Sequence, residues 1–589
     1  MRYQYKKAKA PVELSVPQGF GIEARDFYSQ KTSVPCQAEC PAMTDVSGYI
    51  EKISQGKYNE AYEINLEDNV MPGVLGRICA RPCQKKCRHN WTDINGPVEI
   101  CRLKRSAADR AARPIKLPAP WFSNTGFKIA VIGGGPAGLA AARELIRFGH
   151  KVTVFEKENH LGGMLIDGIP RFRLPLSIVE EEIDQIISTG VDVKTGSFVG
   201  KSELENITKE YNAVLVCTGT THPNVINLPG LKDNQYLSGL EFMKQYNNEN
   251  IKELTGDVII IGGGFTAVDS ARACARTARK LLGNTGNVTI VYRRTEEFLA
   301  ADMEEREEIE KENINILTLL SPLSVNSKNG RLQSVIFQKN YIKKSVHSEK
   351  GDILPIEGSE AELKCNHLIM AIGQKQDYSI LPDGISMAEK FRTTRANLFT
   401  AGDFLNGSLN VIQSIADGKE AARLIDKYLT KEDRLQRKVL IETANENGET
   451  GRQRHHDVQF NLPVRNIDVK SRIPGNTEVE KVYSDKETQI HSTRCYLCHY
   501  KLEIDAELCI QCKWCIDVSP RDCIKMVSQF EYDDNGTIIK AHTADKIEDS
   551  TFIWIDNKNC IRCGRCLRVC PTGAISMRKT KLMDCPNNL

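Results

Sequence analysis

The stretch "KIAVIGGGPAGLAAARELIRFGHKVTVFEKENHLGG", residues 128–163, decides how this chain is read. A β-branched run, Ile129 to Ile132, meets Gly133-x-Gly135-x-x-Gly138. A helical segment follows, then a second apolar run that closes on Glu156. The first glycine permits a tight turn. The second lets backbone approach a pyrophosphate, and the third lets helix pack closely on strand. Pro136 and Ala137 open the helix, whose free amides and positive dipole end suit phosphates. Glu156 is placed to bind ribose hydroxyls. The strand, the helix and the acid together mark a dinucleotide site rather than a glycine-rich turn.

The pattern returns in "DVIIIGGGFTAVDSARACARTARKLLGNTGNVTIVYRRTEE", residues 257–297, as Gly262-x-Gly264-x-x-Ala267 with Phe265 and Thr266 between. Here the second strand ends in Arg293 and Arg294. An acid there would bind the 2′-hydroxyl of NAD, whereas an arginine pair suits a 2′-phosphate, so NADPH is favoured over NADH. A surface arginine pair is the plainer alternative for each residue taken alone. This unit is inserted between "VCTGT" (216–220) and "MAIGQ" (370–374). Nesting of this kind predicts a direct hydride transfer between two bound cofactors.

The chain has 589 residues, 41% hydrophobic and 26% charged, with a net charge of +3, which gives no argument for nucleic acid. No run is long and apolar enough to span a bilayer. The N-terminus lacks the apolar core of a secretory signal, so the expected location is the cytoplasm. Twenty cysteines without an export signal then point to metal or redox chemistry rather than disulfides. Six lie between Cys36 and Cys101 and eleven between Cys495 and Cys585. Cys217, Cys274 and Cys365 sit in apolar contexts and read as small buried hydrophobes.

The N-terminal pattern is Cys36-x3-Cys40, Cys79-x3-Cys83-x3-Cys87, then Cys101. Such soft ligands suit an iron–sulfur cluster, with zinc as the alternative. Six thiols do not fill two four-cysteine sites, so one [4Fe–4S] cluster is expected. A second, through Cys36 and Cys87, would need non-cysteine ligands. At the other end "CIRCGRCLRVCP" gives Cys560, Cys563, Cys566 and Cys570, a full cluster run. "CIQCKWCIDVSPRDC" gives Cys509, Cys512 and Cys515, but Ser519 stands where the fourth cysteine belongs. The fourth cysteine of each run in a two-cluster ferredoxin ligates the other run's cluster. One cluster therefore takes Cys509, Cys512, Cys515 and Cys570. The other takes Cys560, Cys563 and Cys566, and is completed by Ser519, left with three cysteines, or reached by Cys523, which is favoured because thiolate binds iron better than alcohol. Cys495-x2-Cys498 either helps bind a further metal, a cluster or zinc, or is a packed thiol pair.

With both fingerprints, "GIPRFRLP" (168–175), "VYRRT" (291–295) and "GRICARPCQKKC" (76–87), residues of about 30 to 430 resemble the glutamate synthase small-subunit family. They are also similar to the N-terminal half of dihydropyrimidine dehydrogenase. The resemblance implies FAD at the first site, NAD(P)H at the second, and [4Fe–4S] clusters. It implies flavin contacts from Leu161, Gly163, Met164 and Arg173, from Thr218, Gly219 and Gly373, and from "AGD", with Gly402 and Asp403 ahead of a helix beginning at Asn410 and Val411. It groups Cys40, Cys79 and Cys83 in one cluster, which relatives complete near the position of Cys101. Relatives that hold two clusters here have a longer first cysteine run, and this chain has no cysteine before Cys36.

The expected architecture is multidomain. An α-helical Fe–S domain spans 1–125. Two nested Rossmann-like α/β domains follow, for FAD (126–245 and 370–430) and NAD(P)H (246–369). A polar linker covers 431–490, and an α+β bacterial ferredoxin-like domain with two [4Fe–4S] clusters covers 491–589. The expected function is an oxidoreductase moving electrons between NAD(P)H and ferredoxin or a partner redox subunit of a larger complex, as an oligomer, with the direction open. A glutamate synthase subunit feeding a glutamine-dependent partner, or a non-enzymatic wiring subunit, are the rival expectations.

Overall fold

A computed structural model describes residues 34–587, apart from 92–95, 252–253, 255, 283–285, 302, 345–349, 445–449, 451, 454, 457–458, 473–475 and 533–537. The N-terminal stretch read against a secretory signal lies outside the described residues. No described helix is long and apolar enough to cross a membrane. The chain divides into two compact units. One joins the described parts of Met1–Trp121, Glu432–Pro463 and Val482–Leu589; the other joins Phe122–Lys431 and Val464–Lys481.

The second unit holds two parallel five-stranded sheets. The first runs Leu398–Thr400, Ala213–Val216, Lys128–Ile132, Lys151–Phe155, Asp192–Lys194. The other runs Tyr236–Ser238, His367–Met370, Val258–Ile261, Val288–Tyr292, Ile314–Thr318. Their central strands are buried throughout, as parallel strands covered on both faces must be. The chain crosses from the first sheet to the second and back through a two-stranded antiparallel ribbon, in which His222 pairs Lys375 and Pro223 pairs Gln374. Helix Val411–Thr430 lies on helix Pro136–Arg147. The fit is close: a Cβ on Gly418 would stand 2.2 Å from the Ala137 carbonyl oxygen.

Two boundaries shift. The strand Tyr236–Ser238 belongs to the second sheet, so that domain begins before residue 246. An antiparallel sheet of Leu320–Lys328, Arg331–Lys343 and Asp352–Lys364 is built into it as well. The span 431–490 is not an extended linker. Leu435–Thr443 pairs as a strand with Ile575–Pro586, and Asp485–Thr493 is a helix. Residues 464–481 return to the second unit, where Val479 N–H donates to the Phe172 carbonyl at 3.0 Å. Arg472, in a stretch whose polarity suggested solvent, is only 3% exposed.

The first unit does not separate into an N-terminal and a C-terminal domain. Tyr49, Ile50 and Leu103 share one buried core with Tyr496, Leu502 and Ile561. Its sheet is antiparallel, in the order Leu435–Thr443, Ile575–Pro586, Tyr500–Ile504. A second sheet is made of Ile538–Thr543, Ile524–Tyr532 and Phe552–Ile555.

Arg472 is held by an ion network. Glu312 accepts from Arg472 at 2.6 Å, from Arg272 at 2.9 and 3.1 Å, and from Arg276 at 2.9 and 3.0 Å. Burial alone would raise the Glu312 carboxyl. The bonds and charge of Arg272 and Arg276 outweigh it and hold the group at about 2. This depressed value stabilises the fold above the ordinary carboxylate range, and the contribution is lost as pH falls from there toward about 2. Glu312→Ala strands three buried guanidinia and is expected to cost about 3–5 kcal/mol in urea unfolding at neutral pH. The deficit should shrink as the comparison is moved into acid.

Candidate cofactor and metal sites

The first dinucleotide loop joins strand Lys128–Ile132 to helix Pro136–Arg147. Gly133 has φ +107°, and a Cβ there would stand 2.6 Å from the Cys217 carbonyl oxygen. One on Gly138 would stand 2.0 Å from the Gly133 carbonyl oxygen. These two positions are closed by the protein itself. Gly135 is the opposite case: nothing lies within 4 Å of its would-be Cβ, so its backbone faces open space at a helix N-terminus. Gly163 folds back over it, with a would-be Cβ 3.2 Å from Gly135 Cα. Glu156, 7% exposed, accepts from the Gly134 and Glu158 amides at 2.8 and 2.9 Å, which fixes its carboxylate beside the loop. Leu161 is buried against Gly134 and Met164 is partly exposed.

The other flavin-directed positions close around the same sheet. Thr218 and Gly219 follow the strand Ala213–Val216, and Gly219 takes φ +72° with open space around it. Gly402, at φ +63°, leads into Asp403, whose carboxylate accepts the Ser414 hydroxyl at 2.9 Å. Burial pushes the Asp403 carboxyl upward. The Asn410 side chain caps the helix that starts at Val411, accepting from Gln413 N–H at 3.1 Å. A closed first and third glycine with an open second is the cradle a pyrophosphate needs, and the residues present fit FAD.

The second loop repeats the design. Gly262 has φ +147° and a would-be Cβ 2.2 Å from the Ala371 carbonyl oxygen, whereas Gly264 faces open space. Ala267 is buried where helix meets strand, and Phe265 and Thr266 open the helix Phe265–Leu282. The two arginines part company. Arg294 donates to the Lys350 and Gly351 carbonyls at 2.7 and 3.0 Å, so it secures a loop; Arg293 is exposed. Arg173 grips Asp269 on that helix at 2.7 and 2.9 Å, tying the two nucleotide domains together. Gly373, φ +98°, sits at the return crossing.

In the first unit the cysteines gather into groups. Cys509, Cys512, Cys515 and Cys570 line one cavity of about 20 Å³. Cys523, 5% exposed, shares a hydrogen bond with Cys560 and lies close to Cys566. The Ser519 hydroxyl donates to the Arg521 carbonyl at 2.6 Å and lies 3.3 Å from Cys523 Sγ. Cys101 is hydrogen-bonded with Cys79 and Cys83, and Lys104 is buried among these three and Cys40. Cys36, Cys87, Cys495 and Cys498 line a separate cavity. Cys217, Cys274 and Cys365 are buried in the second unit. Among the described residues, no three His, Cys, Asp or Glu side chains are gathered as around a single metal ion.

Residues 127–421 match the family described as "Pyridine nucleotide-disulphide oxidoreductase". The chain belongs to that family. Residues 28–114 match "Dihydropyrimidine dehydrogenase domain II, 4Fe-4S cluster", and residues 553–576 match "4Fe-4S binding domain". Over 437 residues the chain is 30% identical to the NADP(+)-dependent formate dehydrogenase subunit beta of Moorella thermoacetica, covering 68% of this chain and 61% of that protein. It is 28% identical to the NADPH-Fe(3+) oxidoreductase subunit beta of Geobacter sulfurreducens, over 80% and 76% of the two chains. It is 30% identical to the NAD-dependent dihydropyrimidine dehydrogenase subunit PreT of Salmonella typhimurium, over 67% and 91%. As a member of the pyridine nucleotide-disulphide oxidoreductase family with Fe–S modules, it is an FAD- and iron–sulfur-dependent NAD(P)H oxidoreductase.

Sequence reasoning overlooked the buried cations of this oxidoreductase. Lys104 lies three positions past Cys101, and Arg88 directly follows Cys87. Arg88 donates to Cys498 Sγ at 3.4 Å. A basic residue one helical turn from a ligand-type cysteine was the available signal. It also treated Arg173 and Arg294 as cofactor contacts, yet both are engaged with protein groups. Removing the Cys523 thiol tests the relocated fourth ligand. Cys523→Ala is expected to lower iron by about four atoms per chain and to remove one reduced-cluster EPR signal; Ser519→Ala is expected to leave both unchanged.

Proposed function

We propose that this chain is the NADPH-oxidising electron-transfer subunit of a larger redox complex. The observation that carries the reading is the pair of dinucleotide loops, each with its second glycine facing open space, nested through one crossover ribbon in one unit. Bound FAD would take a hydride, two electrons and a proton, from the nicotinamide, and [4Fe–4S] clusters would carry the electrons onward one at a time. The protein's part is to hold and aim these groups. Gly133, Gly135, Gly138, Glu156 and the Asp403 region hold FAD. Gly262, Gly264 and Ala267 hold the pyrophosphate of NADPH, and Arg293 meets its 2′-phosphate.

The C-terminal region acts as a two-cluster ferredoxin-like module. Cys509, Cys512, Cys515 and Cys570 hold one cluster; Cys523, Cys560, Cys563 and Cys566 hold the other. Cys40, Cys79, Cys83 and Cys101 hold a third, with Lys104 offsetting its negative charge. Leu508, Ile510 and Trp514 stay exposed beside the Cys509 turn and offer a redox partner an apolar rim. Relatives named as beta subunits support a partner chain, and two of them named for NADP(+) or NADPH support the choice of nucleotide.

Under anaerobic conditions NADPH is expected to bleach the flavin absorbance within the mixing time of a stopped-flow experiment. Loss of one charge-assisted phosphate contact is worth about 1.5–3 kcal/mol. Arg293→Ala should therefore raise KM for NADPH by about tenfold or more, with NADH changed by less than about threefold. A wild-type flavin that NADPH does not bleach contradicts the function. An equal effect of the variant on both nucleotides contradicts the role of Arg293.

A further inference from the structure

We propose that Cys36, Cys87, Cys495 and Cys498 together hold a fourth [4Fe–4S] cluster, which links the N-terminal cysteine site to the C-terminal pair. The four thiols come from three places far apart in sequence, yet they line one cavity of about 20 Å³. The Cys509, Cys512, Cys515, Cys570 cavity, whose ligand spacing is that of a two-cluster ferredoxin, is also about 20 Å³. The spaces match in size and in number of sulfurs. The expectation that a site through Cys36 and Cys87 needs non-cysteine ligands is therefore replaced, because the Cys495–Cys498 turn supplies the missing two.

The backbone of that turn is an independent observation. Leu497 has φ +49°, a left-handed conformation that strains an ordinary residue, and its N–H points at Cys495 Sγ, 3.4 Å away. Arg562 has φ +57°, and its N–H points at Cys560 Sγ, also 3.4 Å away. Gln511 takes φ +53° at the same place in the Cys509 turn. All three are Cys-x-x-Cys turns strained at the residue before the second cysteine, so that an amide is aimed at the first sulfur. A thiol pair packed only as hydrophobe gains nothing from such a turn; a metal-bound thiolate gains a hydrogen bond.

The surroundings carry positive charge, and one buried imidazole, His89, also lines the cavity, its ring 4.4 Å from that of Tyr496. Arg88, 4% exposed, donates one nitrogen to Cys498 Sγ and another to the Cys560 carbonyl at 3.1 Å. Arg562 donates to the Cys498 carbonyl at 3.4 Å. The Cys498 and Cys560 turns are thus neighbours that share two guanidinia. His499, the one imidazole attached to the turn, lies against Glu51, 3.1 Å away. On the other side, buried Tyr49 sits among Cys36, Cys40, Cys83 and Cys101. The fourth site therefore lies between the Cys101 group and the Cys560 group. A one-electron carrier there makes an unbroken relay through this unit, and a hydrogen bond from Arg88 to a ligand sulfur favours its reduced form.

The ligand set does not depend on the electron-transfer reading; only the relay role does. Iron and sulfide analysis of the anaerobically purified chain is expected to give about 16 of each per chain, against about 12 without this site. The Cys495→Ala/Cys498→Ala double variant should lose about four of each and one EPR signal. A wild-type count near 12, one equivalent of zinc in place of the iron, or a double variant with unchanged iron overturns the site. Should the double variant not fold, the wild-type count with zinc analysis decides alone. Failure of flavin bleaching with iron near 16 would sink the function and leave the site standing.

Discussion

A [4Fe–4S] cluster takes four thiolates, and no continuous stretch of this chain brings four to one place. That constraint organises the first unit. Cys570 lies with the Cys509 turn, Cys523 lies beside Cys560, and Cys101 lies beside Cys79 and Cys83. The Cys495 turn lines the same cavity as Cys36 and Cys87. Each site staples segments that have little else in common, so folding of the unit and loading of its metal are expected to be coupled. The two cysteine-rich ends of the chain share one buried core instead of forming two domains.

The second unit obeys a different constraint. Its two loops are shaped by glycines that the protein's own carbonyls would otherwise collide with, at Gly133 against Cys217 and at Gly262 against Ala371. Those contacts fix the angle between strand and helix and leave the middle glycine open to a phosphate. The ion pair from Arg173 to Asp269 then joins the two nucleotide domains, and the Glu312 network anchors a returning segment through Arg472.

Much of this was legible in the sequence because the demand was local. A tight turn needs glycine at Gly133 whatever surrounds it, and a run such as "CIRCGRC" carries its spacing in a few residues. What was not legible is what distance in sequence hides. Nothing in "CYLC" says that it faces Cys36 and Cys87. Arg472 looked solvated because its partner, Glu312, lies far back in the chain. "LQRKVLIET", residues 435–443, looked like linker because an outer strand with polar residues differs little from coil until its partner, Ile575–Pro586, is known. Arg173 and Arg294 show the converse, in which a charge suited to a ligand is also engaged by the protein.

The account stands or falls on whether the flavin of one unit and the clusters of the other form a single electron pathway. The most direct measurement is low-temperature EPR of the anaerobic chain with NADPH as the only reductant. The account predicts that flavin bleaching is followed by signals of reduced [4Fe–4S] clusters. A flavin that bleaches fully while every cluster stays oxidised, although dithionite reduces them, would contradict it.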